Sequence, residues 1–121
     1  MLPTVPNRLQ MHRKDGGFTQ RELAYLVGYD HAAPVLRHES SRIAPPLEVA
    51  FGYEIIFRVP IARLFVGLRD QVQRDVEVRL AEMESALGEL SVKDRNAVAT
   101  ARKLSWLAAR RNNGDVPEVF P

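Results

Sequence analysis

The sequence contains no cysteine. That excludes disulfides and thiolate metal sites, and it fits a chain that works in a reducing cytoplasm. Long hydrophobic runs are missing too. No stretch approaches the roughly 18 uninterrupted apolar residues of a membrane span. The opening "MLPTVPNRLQ" lacks the cationic start and apolar run of a secretory signal. The expectation is a cytoplasmic protein with no membrane partner. A strong charge excess is also lacking. There are 17 Lys and Arg against 15 Asp and Glu, a net charge of +2, whereas dedicated nucleic-acid binders often carry more. Catalytic signatures are absent as well. The chain has no G-x-x-x-x-G-K-[ST], no G-x-G-x-x-G, no H-E-x-x-H and no nucleophile elbow. Its carboxylate pairs, Asp75 with Glu77 and Glu82 with Glu84, alternate with apolar residues as solvated helix faces do. The 3 histidines show no metal-ligand spacing with carboxylates. We therefore expect no enzyme activity, no cofactor and no metal site.

What is present is enough chain for one small domain plus a helical extension: 121 residues, 45% hydrophobic and 26% charged, the proportions of a globular protein. Glycine and proline punctuate the first two thirds. "LRDQVQRDVEVRLAEMESALGEL" then runs without either as far as Gly88. This change of texture sets the expected organisation: a domain over residues 1–67, a helical extension over 68–113 that is a candidate for dimerisation, and a flexible tail over 114–121.

Five short helices are expected before residue 67. Asn7 can cap the first, and Leu9 and His12 share a face. "DGG" at 15–17 ends it, because glycine accepts the left-handed conformation of a helix stop. Thr19 is a good N-cap and Glu22 stands three residues on, the pattern of a capping box; Phe18 and Leu23 fit a hydrophobic staple around it. Leu23, Leu26 and Val27 give this second helix one apolar face, and Gly28 closes it. Pro34 is expected at the first position of the third helix, where its missing N–H has no partner to lose. It should push Ala33 out of the helical region. "APP" at 44–46 breaks the chain again. The fourth helix then runs from Leu47 to about Phe57 and the fifth from Ile61 to Gly67. No segment alternates as a strand would.

In the extension, Val76, Leu80, Met83, Leu87 and Leu90 form a heptad seam of about two heptads, short for a coiled coil alone. Ser91 can cap a last helix containing Val98, Ala101, Leu104 and Leu107. The seam can pair with a second copy, or fold back on the fourth and fifth helices or on the last one as ordinary core; the favoured expectation is a helical hairpin that packs on itself and also contributes to a homodimer. Trp106 is an anchor either for its core or for its interface.

Two short helices meeting at Gly28 within a five-helix domain have the plan of a helix-turn-helix. The residues carry this further. "FTQRELAYLVG" at 18–28 resembles the second helix of the Cro/C1-type (XRE) helix-turn-helix regulators. Glu39 followed by Pro45 has that family's spacing after the recognition helix, and "PPLEVAFGYEIIFRVPIARLF" at 45–65 follows its fourth and fifth helices. His12-Arg13-Lys14 and Tyr53-Glu54 look most like a subgroup of short regulators. The resemblance covers residues 7 to 67. It implies an all-α fold, a five-helix lambda-repressor-like domain with a C-terminal helical hairpin extension. It also implies a sequence-specific regulator of transcription, a repressor in the first instance, with double-stranded DNA as partner. Two features depart from the pattern. One extra residue lies between Gly28 and Glu39, and Ala32, Ala33 and Pro34 stand where polar residues are usual.

Under this reading Leu36, Arg37 and Ser40 face outward from the third helix, with Val35 and His38 inward. Arg37 is the candidate for base contact, because its fork fits the two acceptors of guanine; the plain alternative is a surface pair with Glu39 or Asp30. Leu36 can meet a thymine methyl or pack at a dimer edge. His31 in the turn can reach a phosphate or a base edge, or be a solvated loop histidine. Gln20, by resemblance, contacts a backbone phosphate at the start of the second helix, and Arg42 in the following loop is another phosphate candidate. Arg13 and Arg21 are weaker ones. His12, His38 and Tyr53 are read as packing residues and Glu54 as surface. The rival reading is a protein-interaction module of the same fold, such as an antitoxin that holds its partner through the C-terminal helices. A third is a nucleoid binder without sequence preference.

Overall fold

Each helix begins and ends where a specific residue supplies or removes a backbone partner. The computed structural model describes residues 6–89 and 97–113, and all regular structure among them is helical. Helix α1 spans Leu9–Asp15. Asn7 Oδ1 accepts the Leu9 N–H at 3.0 Å, and Gly17, at φ 77°, turns the chain away. Helix α2 spans Gln20–Leu26 behind the expected capping box. The Glu22 N–H donates to Thr19 Oγ1 at 3.0 Å and the Thr19 N–H to Glu22 Oε1 at 2.9 Å. Those bonds, the backbone one first, hold the Glu22 carboxyl below its ordinary value. Gly28 takes φ 96°, a conformation that costs a side-chain-bearing residue about 1–2 kcal/mol. The Tyr29 N–H then returns to the Ala24 carbonyl at 2.9 Å.

Helix α3 spans Ala33–Glu39, one residue earlier than the proline suggests. Ala32 already has helical angles, and its carbonyl accepts the Leu36 N–H at 3.1 Å. Pro34 therefore occupies the second helical position, where a missing N–H is as harmless as at the first. Helix α4 spans Leu47–Phe57 and stops at Arg58, which is left-handed at φ 54°. Helix α5 is a single turn, Ile61–Leu64. It is shorter than expected because the chain breaks at Phe65 and the long helix α6, Val66–Gly88, starts at once. Glu54 is not a free surface residue. It is half-buried, and its Oε1 accepts the Ile61 N–H at 3.0 Å, taking the place of a cap that Pro60 cannot supply.

Leu9, Leu23, Ala24, Val35, Val49, Tyr53, Leu64 and Phe65 form the buried cluster, with Val27, Tyr29, Ile56, Phe57 and Leu68 packed against it. Each large side chain there contributes roughly 1.5–3 kcal/mol of burial. Leu68 belongs to this core, so the first unit does not stop at residue 67. The chain divides into Met1–Val72 and Gln73–Pro121, inside the continuous helix α6.

In the second unit, α6 runs beside helix α7, Ala97–Asn113. Arg110 donates to Glu77 Oε2 at 3.1 Å and to Oε1 at 2.5 Å, and Arg111 pairs with Glu84. The Arg110 bond keeps Glu77 below the ordinary carboxylate value. Leu107 is buried, and Leu80 and Leu87 are half-buried. No residue of α6 is buried, and Val76 and Met83 of the seam stand exposed. Leu90, Ser91 and the tail 114–121 lie outside the described residues.

His38 is buried on the inner face of α3, where its Nδ1 shares a 2.7 Å hydrogen bond with the Tyr53 hydroxyl. Burial lowers the His38 pKa from its ordinary 6.5. It also raises that of the Tyr53 hydroxyl. The folded chain thus holds His38 neutral where the unfolded chain binds a proton. The stability that His38 contributes is fully present above pH 6.5 and is lost as the pH falls below it. The thermal midpoint should drop on acidification from about pH 7 to about pH 5, and His38→Gln should flatten that slope; an unchanged slope would refute the assignment.

Candidate nucleic-acid interface

The outward face of α3 presents Leu36, Arg37 and Ser40, all exposed. The Ser40 hydroxyl donates to the Arg37 carbonyl at 3.3 Å. Neither Glu39 nor Asp30 pairs with Arg37. Glu39 turns inward, and Asp30 bonds the neighbouring His31 Nδ1 at 2.8 Å. Arg42 lies close to Arg37 along the chain path. Its backbone N–H donates to the Arg37 carbonyl at 3.0 Å, across Ser41 in the left-handed conformation at φ 60°. The end of α3 therefore carries two exposed arginines in adjacent turns.

That end is held from behind. Asn7 Nδ2 donates to the His38 carbonyl at 2.8 Å and to Ser41 Oγ at 2.8 Å. Its Oδ1 meanwhile accepts the Leu9 N–H. One side chain thus joins the start of α1 to the end of α3 and supports the left-handed Ser41. The N-cap position is Arg8, one residue after the expected Asn7, although Asn7 does accept the Leu9 N–H; its longer-range bonds depend on residues more than thirty positions away, and no local pattern announces them.

Arg13, a weaker phosphate candidate by sequence, is drawn inward in the structure. Its side chain is 9% exposed and that of Glu39 is 3% exposed, and they form a two-pronged ion pair: Nε to Oε2 at 2.5 Å and Nη2 to Oε1 at 3.2 Å. Arg13 Nη1 also donates to the Phe18 carbonyl at 2.9 Å. Gln20 Nε2 donates to Glu39 Oε1 at 3.0 Å. Gln20 is thus half-buried with its amide N–H on a carboxylate, and the capping box already serves other N–H groups at the start of α2. The amide expected to meet a phosphate here meets Glu39. Its visible role is to fix α2 against α3. Among the described residues no buried side-chain polar atom is left without a partner, which is the condition for a buried network to specify one geometry.

His31 is exposed but sits beside the Asp30 carboxylate, so its attraction for a phosphate is offset. Arg21 is exposed and lines a shallow depression of about 400 Å³ with Phe18, Glu22, Tyr25 and Leu26 on the outer side of α2. It stands apart from the α3 arginines in the sequence and in its surroundings. No group of three or more potential metal ligands occurs among the described residues, and no described helix is long and apolar enough to cross a membrane.

Set against known proteins, the chain matches no family model, no curated protein and no solved structure.

Removing one member of a buried ion pair leaves the other charge uncompensated, at a cost of about 3–5 kcal/mol. Glu39→Gln and Arg13→Met should each destabilise the chain by about that much. Gln20→Ala should cost only about 1 kcal/mol. Urea unfolding of the three variants checks this. Equal small losses would mean that the pair is effectively solvated.

Proposed function

We propose that this chain is a sequence-specific, double-stranded-DNA-binding regulator that reads the major groove with the exposed face of α3. The observation that carries the reading is Arg37. It is an exposed arginine on a helix anchored at its buried face and at its C-terminal end, and none of the described carboxylates holds it. Fixed placement matters because a two-pronged contact to guanine is directional. Arg42 in the next turn supplies a phosphate contact, which positions the helix but carries no sequence information. Leu36 offers an apolar contact to a thymine methyl, and Ser40 a hydroxyl. The mechanism is steric: a protein seated on a promoter blocks or recruits polymerase.

The same reading includes a homodimer joined through the α6–α7 hairpin. A hairpin in which Leu80 and Leu87 of α6 are only half-buried and Val76 and Met83 stand bare has too little core to stand alone. Arg110 and Arg111 are matched to Glu77 and Glu84 within one chain, and the charges beyond those two pairs include cations on α7 and carboxylates on α6, which suits self-pairing. Among the described residues α7 carries Arg102, Lys103, Arg110 and Arg111 and no carboxylate, while α6 carries an acidic excess that includes Asp75, Glu77, Glu82 and Glu84. A two-fold dimer would place two α3 helices about one turn of DNA apart, ~34–36 Å.

A second reading is a protein-interaction module, such as an antitoxin. The exposed Tyr25 and Leu26 beside the depression on α2, with the apolar start of α3, favour it.

Selection of duplexes from a random pool at near-physiological salt tests the first reading. An enriched inverted repeat supports it, and no enrichment by the folded protein overturns it. Arg37→Ala should cost about 1–3 kcal/mol and relax preference at one base pair. Arg42→Ala should weaken all duplexes alike and reduce the salt slope by about one. Partner capture that survives both changes would favour the second reading.

A further inference from the structure

Two side-chain-bearing residues among those described have positive φ, and one of them, Ser41, lies between the exposed Arg37 and Arg42. The chain leaves α3 there through two backbone bonds. The Ser41 N–H donates to the His38 carbonyl at 3.2 Å, and the Arg42 N–H to the Arg37 carbonyl at 3.0 Å. This pairing is a Schellman stop, and it requires a left-handed residue at the position that Ser41 holds. Glycine is the usual occupant, because a Cβ disfavours the conformation. Ser41 adopts it at φ 60°, so something outside the turn has to hold it there.

Asn7 does so. Its Nδ2 carries two hydrogens, and its two shortest bonds are to the His38 carbonyl and to Ser41 Oγ, both at 2.8 Å, with the Glu39 carbonyl at 3.4 Å. Both near acceptors belong to the stop. One also receives the Ser41 N–H, and the other is the side chain of the left-handed residue itself. At its other end Asn7 Oδ1 holds the Leu9 N–H, which fixes the direction of the amide. A Ser41 that returned to negative φ would move its Oγ off Asn7 and take the Arg42 N–H away from Arg37. Residues held in sparsely populated backbone regions persist only where their surroundings over-determine them, and they cluster at binding sites.

We propose that Asn7 is a positioning residue for DNA binding, resting on the reading of Arg42 as a phosphate contact. Asn7 keeps Ser41 left-handed, and Ser41 in turn keeps Arg42 in the turn beside Arg37. A phosphate contact sets the register in which a helix enters the groove. The start of α1 thus governs how Arg37 meets its base pair, through an amide that acts on the backbone of α3 and not on the duplex.

The test uses the full-length chain and a duplex recovered from the random pool. Affinity is measured against salt for Asn7→Ala, Arg42→Ala and the two combined. Asn7→Ala should weaken binding about tenfold, the loss of one hydrogen bond to a charged group, and lower the salt slope by about one. The combined variant should bind no worse than Arg42→Ala alone. Ser41→Gly added to Asn7→Ala should restore both affinity and slope, because glycine takes the left-handed conformation unaided. A general loss of stability would produce neither the non-additivity nor the rescue. Additive losses, or no rescue, would overturn the role of Asn7 and leave DNA reading intact.

Hydrogen exchange of the Arg42 N–H, measured without DNA, separates the two ideas. It should be faster in Asn7→Ala and slow again once Ser41→Gly is added. Asn7→Asp keeps the acceptor for the Leu9 N–H and loses the donor, so it should exchange as fast, and it serves where Asn7→Ala does not fold. Unchanged exchange in these variants would overturn the hold on Ser41 whatever the duplex result. Faster exchange in a protein that enriches no duplex would overturn the DNA reading, and the positioning role with it, while the hold on Ser41 stands.

Discussion

The geometry of the first unit depends on one buried carboxylate. Glu39, at the end of α3, accepts from Arg13 on α1 and from Gln20 on α2, while Arg13 also holds the carbonyl of Phe18 in the turn between α1 and α2. Three helices and a turn are thereby referred to one group. A buried charge pair contributes little net stability, because desolvation offsets most of the attraction. Its physical effect is on alternatives. Any slip of α3 along α2 leaves a charge without its partner in a low-dielectric setting, which is costly. The apolar contacts of Val35, Leu23 and Ala24 tolerate small shifts; the ion pair does not.

Around this pair the remaining polar bonds fix where α3 ends. Asn7 binds the last carbonyls of α3 and the Ser41 hydroxyl, and His38 is tied to Tyr53 on α4. The exposed side of α3 is thus free of internal ties exactly where its buried side is most heavily tied. A directional contact by Arg37 requires this combination, since a guanidinium on a loosely held helix loses its bidentate geometry through motion.

The second unit is built on a different principle. Its helices are joined by exposed ion pairs, Arg110 with Glu77 and Arg111 with Glu84, around a single well-buried leucine. Exposed pairs of this kind contribute roughly 0–1 kcal/mol each. Such a hairpin has little buried core of its own, and Val76 and Met83 stand exposed on it.

Local sequence determined the helical character of the chain and most of its punctuation. The Thr19–Glu22 box, the left-handed Gly17 and Gly28, the Asn7 bond to the start of α1 and the break at "APP" are legible because each involves residues at most a few positions apart. The inward placement of Val35 and His38 follows from helical periodicity, and so does the outward placement of Leu36, Arg37 and Ser40. What only the tertiary structure decided are the roles of charged and amide side chains whose partners are distant in sequence. Arg13 and Gln20 read as surface groups available to phosphate because nothing within a few residues claims them; Glu39 claims both only after the helices have packed. Glu54 reads as surface until α5 arrives beside it. The exposure of Leu47, Phe51 and Ile55 was equally hidden, because a helix apolar on both faces gives no periodic signal for which face the core takes. The physical reason is common to all four cases: periodicity reports the direction in which a side chain points, while its partner is fixed by packing between segments that the sequence keeps far apart.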